Sequence, residues 1–403
     1  MLLSYGVIFM IYTEFKGKKL SMLGFGTMRL PLLESGEIDR EEFVKMVDYS
    51  IKNGVNYFDT AYPYHKGLSE VEIGKALKKY PRESYYLANK YPGHQISESY
   101  NPAEIFEEQL KKCDVEYFDF YLLHNVYENS IDVYLDERWG ILEYFKEQKK
   151  NGRIKHLGFS THARIDALER FLDIAGDDME FCQIQLNWMD WTLQDAKGKV
   201  ELLNSRNIPV WVMEPVRGGK LCKLSEKDEQ ILRDLRDENV PAWGFRFLQG
   251  IPGVTMILSG MSDIAQMKEN VKTFEDLKPL NERERSALLE IAEGMKTTVP
   301  CTACRYCTAG CPMGLDIPIF IEMYNELSFA PLTNTAMRLD VLPENKMPSA
   351  CVGCRACEKI CPQMIEISSV LKALSQKLES IPKWSDICRQ REEDAKRLKA
   401  LGN

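Results

Sequence analysis

Short apolar runs alternate along the chain with amphipathic stretches of helical period, which indicates successive strand–helix units and a parallel sheet. Eight runs are predicted as strands: LGFG from Leu23, VNYFD from Val55, YYLAN from Tyr85, FDFYLLH from Phe118, KHLGF from Lys155, FCQIQL from Phe181, IPVWVM from Ile208 and VTMIL from Val254. Eight regular units within about 280 residues favour an α/β fold of the closed (β/α)8 type, a TIM barrel, over an open sheet. The glycine-rich dinucleotide fingerprint does not follow the first run.

The first helix has clear sequence signals at both ends. Asp39 is a predicted N-cap with Glu42 at the third helical position, and Gly54 marks the end. Its apolar residues repeat at helical spacing, so we expect this face to cover the barrel.

A second cap, Asn281 with Glu284, opens a helix after the eighth unit. The sequence therefore predicts a barrel domain over 1–280, a connecting helix over 281–298 with the boundary near Thr298, and a small, mainly helical cysteine-rich domain over 299–403. A charged amphipathic helix from about Ile381 to Leu401 ends this domain, and we expect its charges to face solvent.

Composition narrows the function classes. Of the 403 residues, 44% are hydrophobic and 28% are charged, which is typical of a folded globular protein. The net charge of -8 disfavours nucleic acid as a main partner. The apolar start, MLLSYGVIFMIY, is shorter than the roughly 20 residues of a membrane span and lacks the charge order of a secretory signal. It is interpreted as an over-extended start with Met10 as the initiator, or as an apolar segment packed on the barrel, in a cytoplasmic protein.

The cysteines form a ligand pattern rather than a disulfide framework. Eight of the 12 follow Cys-x2-Cys-x2-Cys-x3-Cys-Pro twice, as Cys301, Cys304, Cys307 and Cys311, then Cys351, Cys354, Cys357 and Cys361. This spacing lets three successive thiolates bind one iron–sulfur cube, whereas structural zinc, the main rival, usually joins two Cys-x2-Cys pairs across a longer gap. Unpaired thiols imply a reducing compartment. The other four, Cys113, Cys182, Cys222 and Cys388, are interpreted as small hydrophobic residues.

The cysteine runs resemble bacterial two-cluster ferredoxins. That resemblance implies two 4Fe-4S clusters, in which the fourth cysteine of each run binds the other cluster. One cluster would then take Cys301, Cys304, Cys307 and Cys361, and the other Cys351, Cys354, Cys357 and Cys311. The 39 residues between the runs exceed the short link of compact ferredoxins, and DIPIFIEMYNEL within them has helical period.

Polar residues follow three of the predicted barrel strands, at the end where barrel active sites lie. Asp59 ends the second run, Tyr64 lies in the loop after it, Lys90 directly follows the third run and His124 ends the fourth. The pattern FDTAxxY, with a Lys after strand three and a His after strand four, resembles the catalytic tetrad of the aldo-keto reductase family. The likeness covers roughly Tyr12 to Phe274.

The resemblance implies a carbonyl reduction, or the reverse alcohol oxidation, with a nicotinamide cofactor. Hydride transfer turns the carbonyl oxygen into an alkoxide, which Tyr64 would protonate. Lys90 would lower the pKa of the phenol, Asp59 would hold Lys90, and a neutral His124 would orient the carbonyl oxygen.

The same resemblance places the nicotinamide. Ser160 and Gln183 would hold its carboxamide, although Thr161 stands where the family has Asn. Met213 replaces the aromatic residue that stacks on the ring. VRGGK, with Arg217 and Gly218, is either a plain turn or a backbone approach to the pyrophosphate.

The family's adenine contacts would fall on Glu269 and Asn270. Gly260 and Gln266 occupy the positions of the two cations that bind the NADPH 2'-phosphate, so NADH is favoured over NADPH. Trp188 and Trp191 either line a substrate pocket or belong to the core.

Three hypotheses join the two halves. In the first and preferred one, the barrel is an aldo-keto reductase acting on a small carbonyl or alcohol, and the clusters serve structure, redox sensing or contact with another electron carrier. In the second, the barrel binds no nicotinamide and the clusters deliver electrons to a substrate or additional cofactor there. In the third, the protein transfers electrons and the barrel is only a binding scaffold.

Overall fold

The computed structural model describes residues 10–296, 299–329, 333–340 and 342–400. Among the described residues, one compact unit comprises those up to Leu288 together with those from Arg391 onwards, and the second comprises those within Leu289–Gln390. Residues 1–9 of the apolar start and the predicted boundary at Thr298 lie outside the described residues. The predicted domain limits stay a proposal.

All eight predicted runs are strands of one closed parallel barrel, which confirms the predicted fold class. The strands of this unit are β1 (Tyr12–Phe15), β2 (Lys18–Ser21), β3 (Leu23–Gly26), β4 (Tyr57–Asp59), β5 (Tyr86–Tyr91), β6 (Phe118–Leu123), β7 (Ile154–Thr161), β8 (Cys182–Gln185), β9 (Val210–Met213) and β10 (Val254–Gly260). Strands β3 to β10 pair in chain order, and β10 closes the barrel against β3 with Ile257 beside Leu23.

Helices follow the barrel strands. They are α1 (Arg40–Lys52), α2 (Leu68–Leu77), α3 (Pro102–Cys113), α4 (Ile131–Leu135), α5 (Ile141–Lys150), α6 (Ile165–Ala175), α7 (Asp190–Leu193), α8 (Ala196–Ser205), α9 (Glu226–Leu235), α10 (Val240–Gln249), α11 (Ile264–Thr273) and α12 (Glu282–Met295). Both predicted caps are present. The Asp39 carboxylate accepts the Glu42 N–H (3.0 Å), and Asn281 and Glu284 cap each other reciprocally (2.8 and 3.0 Å).

The hairpin β1–β2 packs against the barrel interior, and the hydrophobic pattern did not predict it. Lys16 and Gly17 both have positive φ (47° and 78°), as the mirror-image two-residue hairpin turn requires. Phe15 and Leu20 join the barrel core, and the Phe15 ring lies 5.0 Å from that of Trp211. Short strands of four residues gave too little periodicity for prediction.

The second unit is built from two similar halves. Its elements are α13 (Tyr306–Ala309), α14 (Ile317–Phe329), α15 (Thr333–Leu339), α16 (Ala356–Ile360), α17 (Ile367–Leu378) and the first residues of α18 (Trp384–Ala400). Buried apolar residues occupy the same positions after each cysteine run. Leu315 and Ile317 are buried in one half, and Ile365 and Ile367 are buried in the other. The predicted helix after Asp316 is α14.

The last helix differs from its prediction. Helix α18 begins at Trp384, and its residues from Arg391 onwards group with the barrel. Asp394 is buried and lies 3.9 Å from Lys66, so the expectation that the charges of this helix simply face solvent is wrong for this residue.

Among the residues that the structure describes, none of the helices combines the length and the apolar character that a membrane crossing requires.

Replacing Phe15 with Ala should lower the free energy of unfolding of the barrel by about 3–5 kcal/mol, because the cavity lies among aromatic rings that cannot close over it. Urea unfolding followed by tryptophan fluorescence measures the change, since Trp211 contacts the altered residue. The control is Glu14→Ala on the exposed side of the same strand, for which we expect a change within about 0.5 kcal/mol. Equal effects of the two variants would contradict the role of Phe15 in the core.

Candidate functional site

A buried ion pair lies at the C-terminal ends of two neighbouring strands. Asp59 ends β4 and Lys90 is the penultimate residue of β5, and the Lys90 ammonium hydrogen-bonds the Asp59 carboxylate. It also donates to the backbone carbonyl of Thr60 (2.8 Å). Burial by itself lowers the pKa of Lys90, but the Asp59 carboxylate more than offsets this and raises it above its ordinary value. The side chain of Lys90 is therefore a fully buried ammonium.

Tyr64 lies above this pair in a tight turn after β4. His65, Lys66 and Gly67 all have positive φ, and this unusual backbone directs Tyr64 towards the barrel mouth. The Lys90 ammonium lies 5.1 Å from the centre of the Tyr64 ring, and its charge lowers the pKa of the phenol. Burial raises the pKa of Tyr64, and the opposing effect of Lys90 is smaller. The expectation of a phenol more acidic than usual is therefore corrected: Lys90 limits the rise in pKa but does not reverse it.

His124 follows the last residue of β6. Its ring lies 6.0 Å from that of Tyr64 and is nearly perpendicular to it, at 85°. The backbone of His124 is held on both sides, by the Tyr91 carbonyl (3.0 Å) and the Tyr134 hydroxyl (2.6 Å). Burial lowers the pKa of His124 well below its usual range, with further lowering by His94 and Lys90. The ring is therefore neutral near pH 7, so it can orient a carbonyl oxygen.

Two further histidines stand beside the predicted tetrad, and sequence reasoning missed them. The ring of His94, in the loop after β5, lies 4.4 Å from that of His124, and His162 follows β7 directly. Burial lowers the pKa of His94 to about 3 and that of His162 to about 4. Both are polar residues just after a strand, so the rule that identified His124 would also have found them.

Ser160 and Gln183, the predicted carboxamide contacts, are direct neighbours in the β7–β8 pairing. The Ser160 hydroxyl accepts the Asn125 N–H (2.8 Å) and keeps its own proton for a ligand. The Gln183 side-chain oxygen is buried and has no hydrogen-bond partner among the described residues. The hydroxyl of Thr161 is used within the turn, donating to Val126 (2.5 Å), so it cannot stand in for the family's Asn.

The turn after β9 differs from its prediction. Met213 ends the strand, half-buried, and Gly218 is exposed with a φ of 62°. Arg217, however, is buried and lies 3.4 Å from the equally buried Asp190. Its guanidinium therefore lies in the interior beside Asp190, which favours the interpretation of VRGGK as a plain turn.

Arg29, which sequence reasoning also missed, lies in the turn after β3 and brings a cation to this region. Its guanidinium pairs with Glu214 (3.1 Å). A Cβ at Gly218 would come within 2.6 Å of the guanidinium, and one at Gly260 within 3.3 Å of the Arg29 stem. Both glycines thus leave room for Arg29. Its position shortly after a predicted strand is the sequence signal that could have identified it.

The remaining predicted contacts lie on or near α11 and α7. Asn270 is buried and donates to Ser259 (3.1 Å), whereas Glu269 and Gln266 are exposed. Trp188 is fully buried, and Trp191 packs on Phe247 (5.7 Å). The interpretation of these two aromatic residues as core packing fits better than that of pocket walls.

Two cavities in the second unit are lined by the cysteines. The cysteines of the first cavity, of about 310 Å³ with its open mouth included, are Cys301, Cys304, Cys307 and Cys361. Those of the second, of about 320 Å³, are Cys351, Cys354, Cys357 and Cys311. The fourth cysteine of each run therefore lies at the cavity of the other run. Four cysteine side chains around each cavity match the four thiolate ligands of a 4Fe-4S cluster.

The loops around the cavities repeat in detail. Ala303 and Arg305 in the first have positive φ, as do Gly353 and Arg355 in the second. This backbone turns amide groups towards the sulfur atoms: the Ala303 N–H lies 3.5 Å from the Cys301 sulfur. Amide hydrogen bonds to thiolates stabilise the negative charge of a bound cluster.

Of the four other cysteines, Cys113, Cys182 and Cys388 are buried and Cys222 is half-buried. Burial raises the pKa of the Cys113 and Cys182 thiols, so they are protonated and fit their interpretation as small hydrophobic residues.

Comparison with known proteins agrees with this architecture. Residues 22–309 match the model of the aldo/keto reductase family, and residues 300–366 match that of a 4Fe-4S dicluster domain. Over 51% of its length the chain is 29% identical to a probable aldo-keto reductase 1 of Glycine max, of which it covers 58%. Over 69% it is 23% identical to an NADH-specific methylglyoxal reductase of Escherichia coli, of which it covers 96%.

The fold is also that of a solved structure, an aldo-keto reductase of Bacillus halodurans in its holo form. The two share 26% sequence identity with a TM-score of 0.58, covering 70% of this chain and 96% of that one. The barrel with its strand-end residues and the family match over most of the chain lead to one conclusion: this protein is an oxidoreductase of the aldo/keto reductase family that carries a C-terminal 4Fe-4S dicluster domain.

Proposed function

We propose that the barrel reduces a small carbonyl compound, or oxidises the corresponding alcohol, with a nicotinamide cofactor, and that the second unit binds two 4Fe-4S clusters. The observation that carries the proposal is the convergence of Tyr64, a buried Lys90 ammonium and a neutral His124 at the mouth of the barrel. This is the set of groups that a developing alkoxide requires.

A bound nicotinamide supplies a hydride to the carbonyl carbon. His124 donates a hydrogen bond to the carbonyl oxygen and fixes its orientation. As negative charge develops on this oxygen, Tyr64 transfers its phenolic proton to it, and the alcohol is formed. The adjacent Lys90 ammonium stabilises the resulting phenolate, while Asp59 keeps Lys90 in place and balances its charge in the interior.

The described residues offer a coherent place for the cofactor. Ser160 and the unpaired side-chain oxygen of Gln183 suit a carboxamide, which has both a donor and an acceptor. Gly218 and Arg29 suit the pyrophosphate, and Met213 would cover the ring without a flat face.

Asn270 and Glu269 would contact the adenine. We favour NADH because Gly260 and Gln266 provide no cation for a 2'-phosphate, and the E. coli relative is named as NADH-specific.

For the clusters we propose that Cys301, Cys304, Cys307 and Cys361 bind one, and Cys351, Cys354, Cys357 and Cys311 the other. The clusters would transfer single electrons to another carrier or regulate the enzyme. Thiolates held for iron require a reducing compartment, so we place the protein in the cytoplasm.

Replacing Tyr64 with Phe should reduce carbonyl turnover by about 10²–10⁴-fold, because the proton donor is lost. The reaction is followed by loss of nicotinamide fluorescence in anaerobically purified protein with its clusters loaded. Tyr62→Phe, two residues away, is the matched control and should keep activity. Unchanged turnover in the Tyr64 variant would instead favour a barrel that acts as a scaffold.

Titration with NADH and NADPH tests the cofactor site. NADH should bind more tightly than NADPH. Arg29→Gln should lower the affinity for both cofactors by about tenfold, or 1.4 kcal/mol, because a charged contact to the shared pyrophosphate is lost. Arg138→Gln, an exposed residue paired with its neighbour Asp136, is the control. Absence of saturable binding would remove the nicotinamide from the proposal. A loss confined to NADPH would instead assign Arg29 to the 2'-phosphate.

Paired cysteine substitutions test the cluster ligands. The wild-type chain should contain about eight iron atoms. Cys301→Ser combined with Cys361→Ser removes two ligands of one proposed cluster, so about four iron atoms should remain. Cys301→Ser combined with Cys311→Ser removes one ligand from each cluster and should affect both. The opposite order of iron content would contradict the exchange of the fourth cysteines, and zinc without iron would contradict the clusters themselves.

A further inference from the structure

The end of helix α18 contributes a basic residue close to the proposed active site. One face of this helix is formed by residues at positions i, i+3, i+4 and i+7, which are Arg391, Asp394, Ala395 and Leu398. Asp394 is buried and lies 3.9 Å from Lys66, and Leu398 would be 3.8 Å from a Cβ at Gly67. Ala395 and Leu398 also line a surface pocket together with Gly67. This face of α18 therefore packs against the turn that carries Tyr64.

The helical geometry then fixes the backbone position of Arg391 relative to Asp394. It lies three residues before Asp394, about 4.5 Å along the axis, on the same face. The charge of Arg391 reaches two rings of the active site: after the larger effect of burial, it lowers the pKa of His94 and also that of His124. The half-buried Arg391 thus contributes positive charge at the rings that would surround a bound carbonyl compound.

The groups around Arg391, His94 and His124 are suited to binding an anion. His94 and His124 are neutral near pH 7 because their pKa values are lowered, so they can hydrogen-bond to an anionic group and do not offset its charge. A guanidinium that is partly removed from water binds carboxylate or phosphate with two parallel hydrogen bonds.

We propose that Arg391 binds an anionic group of the substrate, so that the enzyme acts on carbonyl or hydroxy compounds that carry a carboxylate or phosphate. The inference rests on the proposed function of the barrel and adds its substrate class. Arg391 follows the cysteine-rich unit in the sequence. An aldo/keto reductase chain that ends with the barrel would therefore lack this contact.

Matched substrates test the proposal kinetically. Wild-type protein should reduce 4-formylbenzoate with a higher kcat/KM than 4-methylbenzaldehyde, or glyceraldehyde 3-phosphate with a higher value than glyceraldehyde. The first pair indicates a carboxylate site and the second a phosphate site. Arg391→Gln should lower kcat/KM for the preferred anion by about 10–100-fold and leave the neutral compound unchanged. Arg391→Lys should restore part of the preference.

The control is Arg389→Gln, which removes the same charge from an exposed position of the same helix. It should keep the wild-type preference. The proposal is overturned if wild-type protein prefers neither anion, if Arg391→Gln keeps the preference, or if this variant loses neutral and anionic substrates equally, which would indicate a purely structural role.

A binding measurement separates this inference from the proposed reaction. Calorimetric titration with 4-methylbenzoate and with inorganic phosphate, neither of which can be reduced, requires no turnover. One of them should bind wild-type protein and the Arg389→Gln variant, and should bind the Arg391→Gln variant about 10–100-fold more weakly. Such binding without any carbonyl reduction would reject the reaction and retain the anion site. Reduction of neutral aldehydes without anion binding would support the reaction and reject the anion site.

Discussion

The ion pair between Asp59 and Lys90 is the constraint on which the proposed active site depends. Neither charge could be buried alone, because an isolated ion in the interior loses several kcal/mol of hydration. Adjacent parallel strands bring them together, and the Thr60 carbonyl takes a second hydrogen bond from Lys90. The Thr27 hydroxyl also holds the backbone at this position, since it donates a hydrogen bond to the Asp59 carbonyl (2.9 Å). The ammonium is thus fixed before any substrate arrives, as electrostatic preorganisation demands.

Burial acts on each titratable group around this pair in a direction that suits its proposed task. It raises the pKa of Tyr64 and so keeps the phenol protonated, ready to donate, while Lys90 limits the rise. It lowers the pKa of His94 and His124, so these rings remain neutral donors. With Arg391 nearby, the mouth of the barrel is a region where new negative charge is favoured, whether on a developing alkoxide or on the substrate itself.

The cysteine-rich unit depends on repetition in place of a large core. Each half combines a three-cysteine loop with a short helix, then a longer helix whose apolar side enters a shared core. A small unit of this kind gains stability from bound metal centres.

The sequence by itself determined the features that depend on local spacing: the eight strands, the caps at Asp39 and Asn281, and the two cysteine runs. Periodicity and spacing are visible within a few residues, so they can be read without the fold. Only the tertiary structure decided that Arg217 turns inward, that Arg29 reaches the turn after β9, and that α18 brings Arg391 to the barrel. Burial and through-space charge are sums over residues remote in the chain, and no local pattern encodes them.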